Sequence, residues 1–239
     1  MKKTKKISEI INKIEEILFP HCVCPFCKEE TLGGKVCDDC LKLVIKPKFC
    51  YVCGAHIGED ATVCMQCKEY ERIFDQNFSV YEYAGKVSAA VQRLKFSQEK
   101  YLAKDFAKIL AEKFYAVSVK VDIVTFVPST IKRIKQRGYN QAEEIAVEFA
   151  HIVDIPCLNL LVKTKETAHQ TELNRKERLQ NLIGSIAVGD KWQVKGKNIL
   201  VIDDVFTTGS TMSACARALK KAGANKVYGL TLAKTSVKG

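Results

Sequence analysis

Apolar positions along this 239-residue chain follow two different periods. Short, largely apolar runs, typical of strands buried on both faces of a sheet, occur at residues 121–127 and 199–202. Apolar residues at helical spacing follow both runs and predict helices over residues 141–151 and 212–222, and Gly223 comes after the second as a stop signal. Strands that alternate with helices predict a doubly wound α/β domain with a mainly parallel sheet.

The same patterns predict further elements of this domain. Alternating residues over 78–83 predict a strand, and helical spacing predicts one helix that ends near Lys95-Phe96 and another over residues 101–115. The last strand is predicted over residues 226–233, whereas residues 131–140 are polar and basic and carry no predicted element. Because ligands bind at the carboxyl ends of the strands in such sheets, residues that follow the strands are candidates for a site.

The N-terminal residues have a separate pattern. Isoleucine and leucine recur at helical spacing over residues 7–19, before Pro20, and predict an amphipathic helix that packs on the body or on a partner. A membrane-surface anchor is the alternative, which the mixture of Glu and Lys on the polar face disfavours. The basic residues 1–6 precede no apolar signal segment, and no run reaches the roughly 18 apolar residues of a membrane span. We therefore expect a cytoplasmic protein without a membrane span.

Eight cysteines form four Cys-x-x-Cys pairs separated by nine, nine and ten residues. The pairs are Cys24 and Cys27, Cys37 and Cys40, Cys50 and Cys53, and Cys64 and Cys67. The last two pairs lie 26 to 27 residues downstream of the first two and are similar to them, which indicates a duplication. A repeated unit folds alike, so the first two pairs are predicted to bind one zinc ion and the last two another. Sharing of one zinc ion by the first and third pairs is the alternative.

Four thiolates make the closed tetrahedral ligand set of a structural zinc site, and ribbons this small depend on the metal for their folding. Grouped cysteines in a cytosolic chain also indicate metal rather than disulfides. His21, Cys22 and His56 are predicted not to be metal ligands. Zinc ribbons serve nucleic-acid binding, protein docking or structure alone, and the sequence leaves these three roles open.

Composition and charge narrow the functional classes only a little. The chain has 47% hydrophobic and 27% charged residues, as an ordinary globular protein does. Its net charge of +11, from 38 basic and 27 acidic residues, suits anionic partners such as phosphate esters and nucleic acid. A lysine-rich surface that only keeps the protein soluble is an equal alternative.

The stretch from Ile199 to Thr211 carries the clearest chemistry. Asp203 and Asp204 stand where the buried strand ends, and five small residues lead into the following helix: Thr207, Thr208, Gly209, Ser210 and Thr211. Backbone N–H groups at a helix N-terminus, with hydroxyls beside them, bind phosphate. A carboxylate pair binds two vicinal hydroxyls or a metal ion that holds them, so the site is shaped for a ribose 5-phosphate. The alternative is an N-capped helix preceded by surface aspartates. Neither a Walker loop nor a Gly-x-Gly-x-x-Gly motif occurs.

This stretch resembles the signature of the type I phosphoribosyltransferases, which bind phosphoribosyl pyrophosphate (PRPP). With further motifs, the chain resembles the ComF family of competence proteins, which join a double zinc ribbon to a phosphoribosyltransferase domain. The matching motifs are Phe19-Pro20, the four cysteine pairs, Tyr83-x-Gly85, Leu94-Lys95-Phe96, Val127-Pro128, Arg137-Gly-Tyr-Asn-Gln141, Gln170 to Asn181, and Asp203 to Thr211. The resemblance implies an N-terminal helix over residues 1–20, the double zinc ribbon over 21–70, and a type I phosphoribosyltransferase fold over 71–239.

The resemblance also implies roles for individual residues. Asp203 and Asp204 are expected to hold the ribose hydroxyls, directly or through Mg²⁺, and Thr207 to Thr211 to bind the 5-phosphate. Pro128, Ser129 and Thr130 are similar to the family's pyrophosphate loop, with Arg137, Asn140 and Gln141 as its support. Residues 163–178 resemble the flexible loop that closes over the reactants. The catalytic residues expected on this basis are Arg137, Lys165, His169, Arg175 and Arg178.

The reaction of such a site is displacement of pyrophosphate at the ribose C1, in which Mg²⁺ and basic side chains stabilise the leaving group. Relatives in purine salvage place an acidic base where this chain has Thr207, and a threonine is no general base near neutral pH. The acceptor then needs no base, His169 supplies it, or transfer is weak or lost.

Three functions are open at this point. The resemblance implies a role in natural transformation, in which the protein handles single-stranded DNA beside a helicase from the ComF operon. An active phosphoribosyltransferase in nucleotide metabolism is the second, and a PRPP-sensing regulator without turnover is the third. We favour a PRPP-binding domain that is used in DNA uptake, with turnover and the oligomeric state left open.

Overall fold

The computed structural model describes residues 23–31, 35–45, 49–58, 61–70, 72–97, 99–164 and 184–235. The helix predicted over residues 7–19 lies outside these ranges, and so do His21, Cys22 and residues 165–178 of the predicted loop. No helix within the described ranges is long and apolar enough to cross a membrane.

A four-stranded parallel sheet forms the centre of the molecule. In chain order the strands are β1 (Gln76–Glu82), β2 (Ile123–Phe126), β3 (Leu161–Lys163), β4 (Ile186–Val188), β5 (Asn198–Phe206) and β6 (Lys226–Lys234). The sheet has the order β1-β6-β5-β2 with every pair parallel, and β3 and β4 form a separate antiparallel pair. A parallel bridge from Val124 to Cys157 extends the sheet beyond β2.

Helices cover both faces of this sheet. They are α1 (Asp38–Leu41), α2 (Met65–Glu69), α3 (Gly85–Phe96), α4 (Leu102–Ala116), α5 (Ile131–Arg137), α6 (Gln141–Val153) and α7 (Ser210–Lys221). Helices α3, α4 and α6 pack on one face, and α7 packs on the other. The doubly wound α/β fold predicted from the sequence is confirmed.

Helix α5 occupies the polar, basic stretch for which the sequence predicted no element. None of its residues is buried, so it lacks the apolar stripe by which a helix is recognised. Its ends follow local rules instead. The Thr130 hydroxyl accepts a hydrogen bond from the Arg133 N–H at 3.2 Å, and Gly138 ends the helix with a φ of 86°.

Two ribbons of equal construction precede the sheet. In the first, an antiparallel bridge between Val23 and Glu30 closes a tight turn, and α1 follows Cys37. In the second, Phe49 pairs with His56 in the same way, and α2 follows Cys64. The structure thus repeats the unit that the cysteine spacing indicated.

The ribbons cover the edge of the sheet at β1. Val44 pairs with Tyr81, and the Asn77 N–H donates to the Val52 carbonyl at 2.8 Å. Backbone groups of an open edge strand pair readily with other chains, so this cover protects the sheet. The first ribbon packs under α4, where Phe26 stacks on Phe106 with ring centroids 5.9 Å apart. The second packs on the face of α7.

This cover explains the burial of β1. The alternating sequence suits a strand, yet residues 77–81 are all buried because a ribbon lies against each face. The polar residues of the strand are hydrogen-bonded: the Asn77 amide donates to the Cys53 carbonyl at 3.3 Å, and the Ser79 and Thr231 hydroxyls lie 2.8 Å apart. The domain boundary near residue 70 stays a prediction.

Candidate active site

The candidate active site lies where β2 and β5 end. These strands are neighbours, and the helices that follow them, α6 and α7, pack on opposite faces of the sheet. Where the chain leaves two neighbouring strands toward opposite faces of the sheet, a crevice forms at the carboxyl ends of those strands. The Val127 N–H donates to the Ile202 carbonyl at 3.0 Å, which brings the start of the predicted pyrophosphate loop beside Asp203.

A cavity of about 250 Å³ opens in this crevice. Its lining includes Pro128, Asp203, Asp204, Thr207 and Thr211, which the sequence selected, and also four residues that it did not assign to the site: Tyr83, Lys95, Arg133 and Ile186. Lys163, the first residue of the predicted flexible loop, lines it too. The structure therefore brings the predicted carboxylates, two of the predicted threonines and Pro128 together and adds cations.

The two carboxylates are in different electrostatic states. The Lys95 ammonium lies 2.6 Å from Asp204 Oδ2, with only 20% and 10% of the two side chains exposed. Burial lowers the pKa of Lys95, but the charges of Asp204 and Asp203 raise it by more. Burial and then the Asp204 charge raise the pKa of Asp203 well above its usual range. The site therefore has one neutralised carboxylate and one that lacks a cation of its own.

Two motifs hold Lys95 in place. Lys95 lies in the last turn of α3, and the Tyr139 hydroxyl donates to the Leu94 carbonyl in that turn. The Arg137 guanidinium stacks over the Phe96 ring, 4.7 Å from its centroid, and donates to the Gln141 side chain at 3.1 Å. The motifs Leu94-Lys95-Phe96 and Arg137 to Gln141 thus meet and fix the helix end that carries the ammonium group.

Replacement of Lys95 by methionine is expected to destabilise the ligand-free protein by about 3 kcal/mol, because it leaves the buried Asp204 carboxylate without its partner. Urea unfolding at neutral pH measures this loss. The loss should shrink as the pH falls and Asp203, whose pKa is raised by burial, takes up a proton, because the site then carries less negative charge for Lys95 to balance. A double variant with Asp204→Asn should recover most of the stability, and Lys120→Met, at an exposed lysine, should change it little. A pH-independent loss would contradict this role of the ion pair.

The loop from Thr207 to Thr211 has the form of a phosphate site. Gly209 precedes α7 with a φ of 78°, and a β-carbon there would lie 2.6 Å from the Phe206 ring. Position 209 therefore needs glycine both for its backbone and for space. The Thr208 and Ser210 hydroxyls lie 2.8 Å apart, and no side chain caps the helix. The Ser210 N–H donates to the Thr208 hydroxyl at 3.4 Å, and the next N–H groups of the first turn are left for a ligand.

The predicted pyrophosphate loop is only partly turned toward the cavity. Pro128 lines it, whereas the Thr130 hydroxyl serves as the cap of α5. Asn140 supports the loop as expected, because its side-chain amide donates to the Val127 carbonyl at 3.0 Å. Arg137 packs against Phe96 beside the site and is not among the cavity-lining residues.

The other predicted catalytic residues, Lys165, His169, Arg175 and Arg178, lie outside the described residues. Within the described ranges, Arg133 and Lys163 supply additional positive charge to the cavity. Burial lowers the pKa of Lys163, and the nearby Arg133 lowers it further. An anionic ligand would relieve this repulsion. Arg133 could not be assigned from the sequence because α5 has no amphipathic pattern. Lys95 lies in the motif Leu94-Lys95-Phe96, but the motif does not reveal that its side chain contacts Asp204.

The eight paired cysteines form two groups of four. Cys24, Cys27, Cys37 and Cys40 make the first group, and Cys50, Cys53, Cys64 and Cys67 make the second, with the sulfur atoms of each group within 4.8 Å of one another. The grouping is the sequential one, and the exposed His56 is in neither group.

The sulfur geometry of both groups fits a zinc ion. The Cys27 and Cys37 sulfurs are 3.5 Å apart, and those of Cys53 and Cys64 are 3.7 Å apart. A tetrahedral site with Zn–S bonds of about 2.3 Å places its sulfurs about 3.8 Å apart. Burial raises the pKa of the Cys24 thiol, but backbone hydrogen bonds led by that of Cys37 outweigh it and lower the pKa to about 7. Such a thiol is ready to become the thiolate that a metal needs.

This fold and crevice define a protein of the phosphoribosyltransferase class. The family model of the phosphoribosyl transferase domain matches residues 103–237. Full-length relatives narrow the class further, and the chain belongs to the ComF family of competence proteins. The family that the sequence motifs indicated is thus confirmed.

Three relatives carry this assignment. Competence protein F of Haemophilus influenzae is 30% identical over 83% of this chain and 90% of that protein. Competence protein ComFC of Streptococcus pneumoniae is 30% identical over 88% of this chain and 87% of that protein. DNA utilization protein YhgH of Escherichia coli is 26% identical over 84% of this chain and 90% of that protein.

Proposed function

We propose that this protein binds PRPP together with Mg²⁺ in the crevice between β2 and β5, and that it acts in the uptake and handling of DNA during natural transformation. The observation that carries the first part is the carboxyl pair, Asp203 and Asp204, beside an uncapped helix start and three cavity-lining cations. This combination matches a ligand with vicinal hydroxyls at its centre and phosphates at both ends.

The residues fit a bound Mg²⁺ ion. Magnesium prefers carboxylate oxygens and phosphates. Burial and the neighbouring Asp204 charge raise the pKa of Asp203, and a bound cation beside the pair would offset both effects. When bound, the ion would stabilise negative charge on the departing pyrophosphate. Asp203 and Asp204 would orient the ribose, the loop from Thr207 to Thr211 would hold the 5-phosphate, and Lys95, Arg133 and Lys163 would attract the pyrophosphate.

Turnover is a separate part of the proposal. Thr207 is exposed and offers no base, so a transferase reaction would need an acceptor that is nucleophilic without deprotonation, or His169. Arg137, Lys165, Arg175 and Arg178 remain the proposed catalytic cations. Without turnover, the same site serves as a PRPP sensor.

Calorimetric titration of the zinc-loaded protein with PRPP and Mg²⁺ tests this proposal, with pyrophosphate release measured in parallel. Binding that depends on Mg²⁺ is the expected result. Release of pyrophosphate with an acceptor base would make the protein an enzyme, and binding without release would make it a sensor. Absence of binding by folded, zinc-loaded protein would overturn the proposal.

We also propose that each tetracysteine group holds a structural zinc ion. Support comes from the sulfur spacing and from the repeated build of the ribbons. Measurement of two zinc equivalents per chain by native mass spectrometry is the expected result, and metal-free protein with native stability would contradict it.

The proposed DNA-handling role is supported by an exposed tryptophan beside a basic groove. Trp192, the single tryptophan of the chain, is 85% exposed. It follows Lys191, which lines a groove of about 470 Å³ together with Arg217 and Lys221 of α7. Helix α7 carries no acidic residue, and the Asp190 carboxylate accepts hydrogen bonds within its own turn, from the Trp192 N–H and the Gln193 side chain, both at 2.9 Å.

An exposed indole beside a basic groove is an arrangement that binds single-stranded nucleic acid. Bases stack on aromatic rings irrespective of sequence, and cations track the phosphates. Competence and DNA utilization are in the names of the relatives, and we extend that role to this chain. The helicase partner stays a proposal from the family resemblance, to be tested by co-purification.

Oligo(dT) is expected to quench the fluorescence of Trp192, and the apparent affinity should fall as salt rises. Trp192→Ala should weaken binding of a labelled oligo(dT) about tenfold, measured by anisotropy, because one stacked base is lost. Arg217→Gln should weaken binding as well, whereas Lys108→Gln, on α4 and the opposite face, should not. Binding that is unaffected by both groove variants would place the DNA elsewhere.

A further inference from the structure

Arg72 connects the second ribbon to the phosphate loop. Its Nη1 group donates to the Thr208 carbonyl at 2.7 Å, inside the loop that precedes α7. The same Nη1 atom would lie 2.9 Å from a β-carbon at position 209, so Arg72 closes one side of the turn at Gly209. Its buried Nε atom has no hydrogen-bond partner among the described residues.

The other side of Arg72 faces the second tetracysteine group. The Arg72 side chain interacts with Cys67 of that group, and Cys67 packs against the buried cluster that includes Phe206. Another cation, the buried Lys234, lies near Cys53 and Cys64 and over the Phe206 ring, 4.3 Å from its centroid.

Aromatic packing joins the same two regions. The rings of Phe74 and Phe206 meet edge to face, with centroids 5.9 Å apart, and the Phe206 ring is in turn the closest neighbour of Gly209. Cysteines 50, 53 and 64 belong to one buried cluster with Phe74, Phe206 and Met212 of α7. These contacts form a continuous packed connection from the second ribbon to the phosphate loop.

The charges favour a link to the metal. Four thiolates around a divalent zinc ion keep a net negative charge, which balances nearby cations such as the half-buried Arg72 and the buried Lys234. Loss of the ion would remove what holds the four sulfurs together, so the ribbon residues that pack against Phe206 would lose their fixed positions. Hydrogen bonds to metal ligands commonly order the site in this way.

We propose that Arg72 is a positioning residue that makes the shape of the phosphate loop depend on metal occupancy of the second tetracysteine group. The first group lies against the opposite face of the sheet and has no such contact with the loop among the described residues. Its corresponding arginine, Arg93, donates to the carbonyls of Pro25 and Phe26 at 2.5 and 3.0 Å. Zinc in the two ribbons thus has different consequences.

The consequence for ligand binding rests on the proposed function, but the loop itself can be followed without a ligand. Hydrogen exchange of the peptide over residues 206–213 is measured in ligand-free protein for two matched pairs. One pair is Cys67→Ser and Cys27→Ser, each at a half-buried ligand of one group. The other pair is Arg72→Gln and Arg93→Gln, which leave all eight thiols in place. Native mass spectrometry counts the zinc ions in each variant.

Cys67→Ser and Arg72→Gln are expected to speed exchange of the loop about tenfold, because each removes or weakens a charged hydrogen bond. Arg93→Gln should leave it within about twofold of the wild type, and Cys27→Ser should speed it no more than it speeds exchange along β6, which reports global unfolding. Equal effects of the two arginine variants would indicate general destabilisation and overturn the proposal. An unchanged loop in Arg72→Gln would also overturn it, whatever Cys67→Ser does.

Affinity for PRPP with Mg²⁺ separates the two proposals. If wild-type protein binds PRPP, the Arg72→Gln variant is expected to bind it about tenfold more weakly. If wild-type protein does not bind PRPP, the proposed function fails, while the exchange experiment still decides whether Arg72 couples the metal site to the loop.

Discussion

Replacement of Asp203 by asparagine is expected to raise the melting temperature of the ligand-free protein and to lower its affinity for PRPP and Mg²⁺ about a hundredfold. Burial and the neighbouring Asp204 charge raise the pKa of Asp203 well above its usual range. The folded protein therefore loses stability when this carboxyl ionises, and asparagine of the same shape removes that cost. The bound ligand, by contrast, needs the charge, and removal of one partner of a buried charge pair costs a few kcal/mol.

The melting temperatures of the wild type and the Asp203→Asn variant should differ in their pH dependence, because the pKa of Asp203 is raised in the folded protein. A carboxyl whose pKa is higher in the folded state stabilises the protein below its unfolded pKa, and this contribution is lost as the pH rises through the folded pKa. Asparagine makes no such contribution at any pH. The difference in melting temperature between variant and wild type should therefore grow from acidic to neutral pH.

Calorimetric scans over this pH range test the stability, and titrations with PRPP and Mg²⁺ at neutral pH test the affinity. Asp154→Asn is a suitable control because Asp154 is exposed and has a left-handed φ of 55°, which asparagine tolerates well. A lower melting temperature of Asp203→Asn at neutral pH would show that Asp203 stabilises the fold instead of serving a ligand.

The sequence was sufficient to locate the phosphate loop because every part of it is local. A buried strand, two carboxylates and a glycine-containing turn before a helix follow one another within thirteen residues, from Ile199 to Thr211. Local hydrogen-bonding and steric rules then fix their arrangement, as the positive φ of Gly209 shows. The same holds for the cysteine pairs, whose spacing and similarity as a repeated unit favoured the sequential grouping over the shared one.

The cations of the site could not be assigned in this way. Lys95 reaches Asp204 only because Tyr139 and Arg137 hold the end of α3, and these contacts join three segments that are far apart in sequence. Arg72 likewise precedes the sheet and contacts Thr208, well over a hundred residues away. Such contacts depend on tertiary packing, for which hydrophobic periodicity carries no signal.

The extent to which the ribbons share the core of the molecule was also beyond the sequence. Each ribbon is too small for a core of its own, and the prediction treated it as a separate module. In the structure, Cys24 and Phe26 belong to the cluster beneath α4, and Cys50 and Cys53 belong to the cluster beneath α7. The tetracysteine groups are therefore part of the core that stabilises the sheet as well as of the ribbons.

Removal of zinc is consequently expected to unfold the whole protein and not the ribbons alone. A structural Cys₄ zinc site contributes about 10 kcal/mol of folding free energy, and a domain of this kind is stable by about 5–15 kcal/mol in total. Loss of a ribbon would also expose β1, whose backbone would then pair with other chains. Cys24→Ser and Cys50→Ser, at fully buried ligands of the two groups, should each lose one zinc ion and most of the stability.

Hydrogen exchange distinguishes global from local unfolding in these variants. Strand β6 is the neighbour of β1 inside the sheet, and its residues Leu230 and Leu232 are fully buried. We expect exchange along β6 to accelerate in both variants, together with light scattering from aggregates. Cys157→Ser, at a half-buried cysteine outside the two groups, should keep both zinc ions and the wild-type exchange of β6. Acceleration confined to residues 23–70 would show that the ribbons fold and unfold independently of the sheet they cover.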